Sequence, residues 1–226
     1  MRGLLAIVGL SVALAAQASP EEDILATYQP MLASFNTALA EDAALFKDSP
    51  DDYWSFFQEV VLPLWSRQAS LKGLAGDEKV AALLPQQQAA LNDILDRTVQ
   101  RYAFEVLESY SGQSFVLNKV VIDSDNTDQA VLDITAQWPN FPDLDIELML
   151  VNEAGTWRFY NIRYGWFSYI GTKKWAYRRG LVPKRFEAFA AHLEAKNRRH
   201  FAAMCEPQIL RGSDICSDWL ARMSVR

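Results

Sequence analysis

An α+β chain, with helices at both ends and four antiparallel strands between them, is predicted by three features of the sequence. Apolar residues recur at helical spacing from Glu21 to Tyr110. The period changes to two over four consecutive segments between Ser114 and Tyr164. Helical spacing then returns, most clearly from Pro183 to Phe201.

The first residues stand apart from this fold. Arg2 precedes an apolar run over 3–15, and Ala16-Gln17-Ala18 supplies small residues at a cleavage spacing. A membrane span needs about 20 apolar residues. The acidic trio Glu21, Glu22 and Asp23 follows where a retained anchor carries basic flanks. Residues 1–18 therefore read as a cleaved export signal, the alternative being an uncleaved anchor or a buried N-terminal helix. Residues 19–203 form the expected domain, with helices within 21–111, the sheet within 114–164 and helices within 168–203. Residues 204–226 form a tail.

Within the domain, 21–46 carries Ile24, Tyr28, Leu32, Phe35 and Leu39 on a helical stripe, with Pro30 as a kink or an early turn. Ser49-Pro50-Asp51 is a turn and cap. The helix after it, with Tyr53, Trp54, Phe56, Phe57, Val60 and Val61, is apolar on most sides and is expected to be deeply buried. Short helices follow around 67–73 and 77–84, then a long one from Pro85 to Tyr110 that Gly112 closes. The strands are 114–123, 129–138, 143–152 and 156–164, and their short connections imply a meander with one wet face. In the third, Leu144, Ile146, Leu148 and Leu150 face one way and Asp143, Asp145 and Glu147 the other. Residues 168–180 read as a loop plus a short helix, and the chain from Met204 as an irregular tail.

Charge is uneven along the chain. The net charge is −6, yet residues 19–156 hold 23 acidic and 7 basic residues, and residues 157–226 hold 5 acidic and 14 basic ones. This is either a dipolar surface or a basic face for an anionic partner. A pI near 5.0 on an exported chain argues against nucleic acid. Cys205 and Cys216 lie close enough to bridge in an oxidising compartment, and the pair would pin the tail. His192 and His200 lack the spacing to form a metal site with them.

No catalytic set emerges. The chain has no nucleophile elbow, phosphate loop or dinucleotide fingerprint, and its two histidines share a late basic helix. Asp133 with Tyr160 is the one acid–phenol pair that could serve an isomerase-like site. Aromatic residues occur on both sides of the fourth strand, Trp157 and Phe159 against Tyr160 and Tyr164, with Trp166, Phe167 and Tyr169 directly after. Periodicity alone favours a large aromatic core. The alternative is an apolar cavity between sheet and helices.

Leu62-Pro63-Leu64, Tyr110-Ser111-Gly112-Gln113, Trp157-Arg158-Phe159-Tyr160-Asn161-Ile162, Ser168, Gly180, Phe186, Leu193 and Lys196-Asn197, taken in order, resemble the motifs of the MlaC (toluene-tolerance, Tgt2-like) family. The resemblance runs from about residue 51 to 197. Gly165-Trp166, Lys173-Lys174, Asn161 and the tail after His200 depart from the family's pattern and mark a divergent branch. The resemblance implies an NTF2-like curved sheet and a monomeric periplasmic lipid carrier without a cofactor. Such a carrier passes a phospholipid, or in a related branch a hopanoid-like lipid, between an outer-membrane lipoprotein complex and an inner-membrane ABC transporter with an MCE-domain ring. The candidate acyl-chain lining is Phe57, Val61, Tyr102, Val106, Leu132, Ile134, Trp138, Leu144, Ile146, Leu148, Phe159 and Phe167. Lys173, Lys174, Arg178 and Arg179 are candidates for the head group or a partner. An interaction module with a filled core is the rival reading.

Overall fold

The computed structural model describes residues 19–206 and 212–224. The export signal expected over 1–18 lies outside the described residues. The element order is α1 (Pro20–Asp48), α2 (Pro50–Val60), a 3-10 turn (Leu62–Leu64), α3 (Arg67–Ala75), α4 (Asp77–Ala81) and α5 (Pro85–Ser109). Strands β1 (Ser114–Ile122), β2 (Gln129–Gln137), β3 (Leu144–Glu153), β4 (Thr156–Tyr164) and β5 (Phe167–Ser168) follow, then α6 (Tyr169–Gly180), α7 (Phe186–Cys205) and α8 (Asp214–Ser224). The fold is α+β, but the sheet has five strands rather than four. They are all antiparallel and lie in sequence order. The added β5 is only two residues long, too short for a period to register.

Helix α1 begins at a reciprocal cap. The Glu22 amide donates to Ser19 Oγ at 3.2 Å and the Ser19 amide donates to Glu22 Oε2 at 2.7 Å. Pro30 lies inside the helix on its exposed side, where it removes one ladder donor. The helix has 29 residues, so it is about 44 Å long. It serves two cores. Ile24, Tyr28 and Leu32 pack on Leu132, Leu150 and Trp157 of the sheet. Leu39 and Phe46 pack with Tyr53, Phe104 and Phe201 among the helices. A third core joins Leu71 and Leu74 of α3, Leu91 and Leu95 of α5 and Ile170 and Tyr177 of α6.

Asn36 fixes α1 to the edge strand: its amide donates to the Phe115 carbonyl and its carbonyl accepts from the Phe115 amide, both at 2.8 Å. This side chain mimics a neighbouring strand and covers part of an otherwise open edge. Two bulges shape the sheet, one at Asn118 in β1 and one at Tyr160 in β4. The β3–β4 turn places Ala154 and Gly155 at φ 53° and 83°, the left-handed pair that a two-residue hairpin requires.

The C-terminal segment differs from the irregular tail expected. It forms α8, whose Trp219 ring stacks on Phe201 with centroids 4.0 Å apart and donates from Nε1 to Gln100 at 3.1 Å. Asp51, in the first turn of α2, accepts from the Asp214 and Ile215 amides at 3.1 and 2.8 Å and so caps α8. Cys205 and Cys216 form a disulfide that joins α7 to α8. Among the described residues no helix is long and apolar enough to cross a membrane, and no group of His, Cys, Asp or Glu could hold a metal ion.

Candidate functional site: an apolar seam between the cores

Strand pairing places the alternating residues of β1–β4 on definite faces. Leu132 pairs with Leu148, Ile134 with Ile146 and Leu117, and Leu148 with Ile162, so these share the inner face. The outer face is polar. Asn118 reaches Thr135 at 2.8 Å, Thr135 reaches Asp145 at 2.9 Å, and Arg163 binds Glu147. Asp133 belongs to this outer face, 3.6 Å from the Lys119 ammonium. Tyr160 packs instead against the core of α3, α5 and α6. The structure thus gives Asp133 and Tyr160 separate surroundings.

The inner face is covered unevenly. At the Trp157 end, α1 seals it: Leu132, Ile134 and Leu150 are buried. The opposite end carries Leu144 and Ile146, which are half-buried, and Ile162 and Tyr164, which are 38% and 41% exposed. Phe167 stacks on Tyr164 at 4.6 Å. The β2–β3 connection and the β4–β5 turn meet at this end, because Leu144 pairs with Ala136 and Ile146 with Tyr164. Both expose an aromatic ring, Phe141 at 68% and Trp166 at 96%.

The sheet core adjoins the two helical cores at their margins: Phe115 packs on both the sheet core and that of α2, and Tyr160, next to Phe159, on that of α3, α5 and α6. Tyr53 is buried in α2, but Trp54, Phe56 and Phe57 are only half-buried. The deep burial expected of this helix is therefore not what the structure has, because α2 sits at the margin of its core rather than inside it. Phe35 links α2 to the sheet through rings of Phe56 and Phe115 at 6.2 and 5.7 Å. On α5, Tyr102 meets the edge of Tyr169 at 5.6 Å, and Val106, one turn later on the same face, is 40% exposed. Burial raises the Tyr169 hydroxyl far above the ordinary phenol range, and neighbouring Tyr177 and Tyr102 add to it. This phenol stays neutral and acts as packing.

The twelve candidate lining residues divide accordingly. Leu132, Ile134 and Leu148 are part of the sheet core under α1. Leu144, Ile146, Phe159, Phe167, Phe57, Val61 and Tyr102 are half-buried, and Val106 is exposed. Trp138 is half-buried in the β2–β3 connection. Ile162, Tyr164 and Leu64 belong to the same margins but are not among the twelve; simple alternation misplaces the first two because a bulge decides their face.

The four cations separate as well. Lys173 is partly buried; burial lowers its ammonium pKa, Lys196 and Arg101 lower it further, and Glu105 of α5 opposes them. Arg178 and Arg179 lie at the other end of α6 and line a surface cleft of about 570 Å³ with Lys79, Lys184 and Arg185. A second cleft, of about 360 Å³, adjoins it through Arg179 and Arg185. Neither is lined by any of the twelve apolar candidates. Asn161 and Ser168, conspicuous in the sequence motifs, have a local task. Asn161 accepts from the Ile170 amide at 3.0 Å and Ser168 Oγ from the Gly171 amide at 3.0 Å, which caps α6.

Comparison with known proteins accords with this architecture. The family described as "MlaC protein" matches residues 30–195, from within α1 to within α7. This chain belongs to the MlaC family. Helix α8 and the disulfide partner Cys216 lie beyond the part that matches the MlaC family. Among solved structures, a phospholipid-binding protein from Ralstonia solanacearum, in complex with a phospholipid, superposes with a TM-score of 0.66. It is 14% identical, and the superposition covers 79% of this chain and 98% of that one. No curated protein matches the sequence.

Proposed function

We propose that this protein is a periplasmic carrier that holds the acyl chains of a phospholipid, or of a hopanoid-like lipid, in the seam between the inner face of the sheet and helices α2 and α5. The observation that carries the proposal is the set of half-buried apolar side chains where the cores face one another, in a chain of the MlaC family. Phe57 and Val61 on α2, Tyr102 and Val106 on α5, and Leu144, Ile146, Phe159 and Phe167 on the sheet side are its lining. Each acyl methylene removed from water contributes about 0.8 kcal/mol, so a carrier must keep two long chains covered in transit. The seam widens when the second half of α2 shifts, because the buried anchors of that helix, Pro50 and Tyr53, lie in its first half.

In this reading the sheet is of the NTF2-like curved kind. The protein is monomeric, catalyses no reaction and uses no cofactor. Its partners are an outer-membrane lipoprotein complex and an inner-membrane MCE-domain ABC transporter. Lys173 is the cation we assign to the head group; its charge senses Arg101 and Glu105 of α5, the residues next to Tyr102 and Val106. The phospholipid complex of the Ralstonia solanacearum protein supports the lipid class. The test is mass spectrometry of lipid extracted from protein purified without detergent. Near-stoichiometric phospholipid is expected. A preparation with no lipid that also takes none from vesicles would favour the filled interaction module.

A further inference from the structure

We infer that the cationic cleft at the α6–α7 turn is a docking site for an anionic membrane surface, a role independent of what the seam holds. The cleft is lined by Lys79, Arg178, Arg179, Lys184 and Arg185 around Val182 and Pro183, with no acidic side chain in its wall. Elsewhere, Arg67, Arg97, Arg101, Lys119, Arg158 and Arg163 each pair with a carboxylate. Among the described residues none of the five cleft cations does. Five unneutralised cations converging on a concavity have a self-repulsion that an anionic surface relieves.

The scaffold holds the charges in place. Lys79 of α4 donates to the Arg178 carbonyl, which ties α4 to the last turn of α6. Arg185 precedes α7, and its amide and that of Phe186 both donate to the Val182 carbonyl, at 2.8 and 3.0 Å, which fixes the turn in the cleft wall. Beside the cleft, Trp175 is 68% exposed and lies under the Arg179 guanidinium at 5.1 Å. An exposed indole flanked by cations suits the boundary between head groups and acyl chains, where indole rings concentrate. That exposed indole beside the cations favours a lipid surface over an acidic protein.

The experiment is flotation of the full mature chain with vesicles of phosphatidylcholine alone and with added phosphatidylglycerol. Binding only to the anionic vesicles is expected, strong at 20 mM salt and lost by about 300 mM as charges are screened. The triple variant R178Q/R179Q/R185Q should lower the partition constant on the order of 100-fold, and W175S should lower it further. The matched variant R67Q/R163Q/R222Q, which removes three charges outside the cleft, should leave it unchanged. Equal binding to both vesicle types, or an unaffected triple variant with an unaltered circular dichroism spectrum, overturns the inference. So does selective competition by inorganic phosphate at constant ionic strength, which would mark a free-anion site. Binding to polyglutamate but not to vesicles overturns it in favour of an acidic protein. Lipid content of the purified protein reads the seam separately, so failure of either proposal leaves the other testable.

Discussion

Replacing Ile162 with Asp tests the seam directly. Ile162 lies on the inner face of β4, opposite Leu148, and is 38% exposed. Full burial of such a side chain is worth about 1.5–3 kcal/mol, so an acyl chain lying over the open share gains about 0.6–1.1 kcal/mol there. An ionised carboxylate forfeits that gain and also keeps its own water. It therefore displaces an acyl segment of about three or four methylenes, at about 0.8 kcal/mol each. The combined loss of about 3–4 kcal/mol corresponds to lipid retention weaker by on the order of 100- to 1,000-fold. Val116 supplies the control. It is 42% exposed, but pairing with Thr135 puts it on the outer face, so V116D repeats the chemistry on the wrong side of the sheet. The assay is phospholipid per protein by mass spectrometry after extensive gel filtration, with melting curves for both variants. I162D should lose its lipid at little cost in stability, and V116D should keep it. Equal retention by both variants, both folded, refutes the placement of acyl chains on the inner face.

Gly180→Ala should destabilise the protein by about 1–3 kcal/mol in urea denaturation, because a Cβ there would lie 2.3 Å from Cγ of the Phe189 ring. Phe189→Leu added to it should recover part of the loss, and a neutral single variant would contradict the contact. Burial lowers the His200 pKa below 6.5, while Glu108 and Glu105 oppose the shift. The unfolded chain then takes up the proton first, so stability falls as the pH drops below about 6.5. The melting temperature should fall more between pH 7.5 and 5.5 in the parent than in His200→Gln; equal falls would exclude the contribution. Replacing Cys205 and Cys216 with Ser opens a loop whose ends are 11 residues apart, which should cost about 3 kcal/mol in equilibrium unfolding. A loss under about 0.5 kcal/mol would show that the packing of Trp219 on Phe201 and the Asp51 cap suffice to hold α8.

Much of the fold was legible because its signals are local. The alternation of Leu144, Ile146, Leu148 and Leu150 needs only β3 itself, and the helical stripe of α5 only its own residues. What escaped depends on distant partners. Helix α8 is capped by a carboxylate more than 160 residues earlier and packed by a ring on α7, so its own segment reads as irregular. The bulge at Tyr160 returns Ile162 and Tyr164 to the face of Trp157 and Phe159, which is why simple alternation makes β4 look apolar on both faces. For the site, periodicity identified the inner face of β2 and β3 but not which part of it α1 covers. Leu132 and Ile134 share a face with Ile146, yet they sit under α1 while Ile146 is only half-buried. The cationic cleft was half visible in Arg178 and Arg179; Lys79 joins them only through the fold.

The seam follows from the length of α1. An amphipathic helix confined to one core would let the sheet and the helices close on each other and bury Phe57, Ile146 and Tyr102 completely. Here Ile24, Tyr28 and Leu32 are committed to the sheet, and Leu39 and Phe46, about two and four turns further on, to α2 and α5. A rigid rod anchored in both cores fixes their separation, much as a strut does, and Asn36 locks it to β1 near the junction. The half-buried rings between the cores therefore forgo part of their hydrophobic stabilisation, which under the proposed function an acyl chain held there would restore. Helix α8, its cap and its disulfide stabilise the far side of the helical core, where no opening is needed. The cross-linked, capped side and the half-buried side thus lie on different margins of the same helical layer, which the proposed carrier function requires if a lipid is to leave without unfolding the protein.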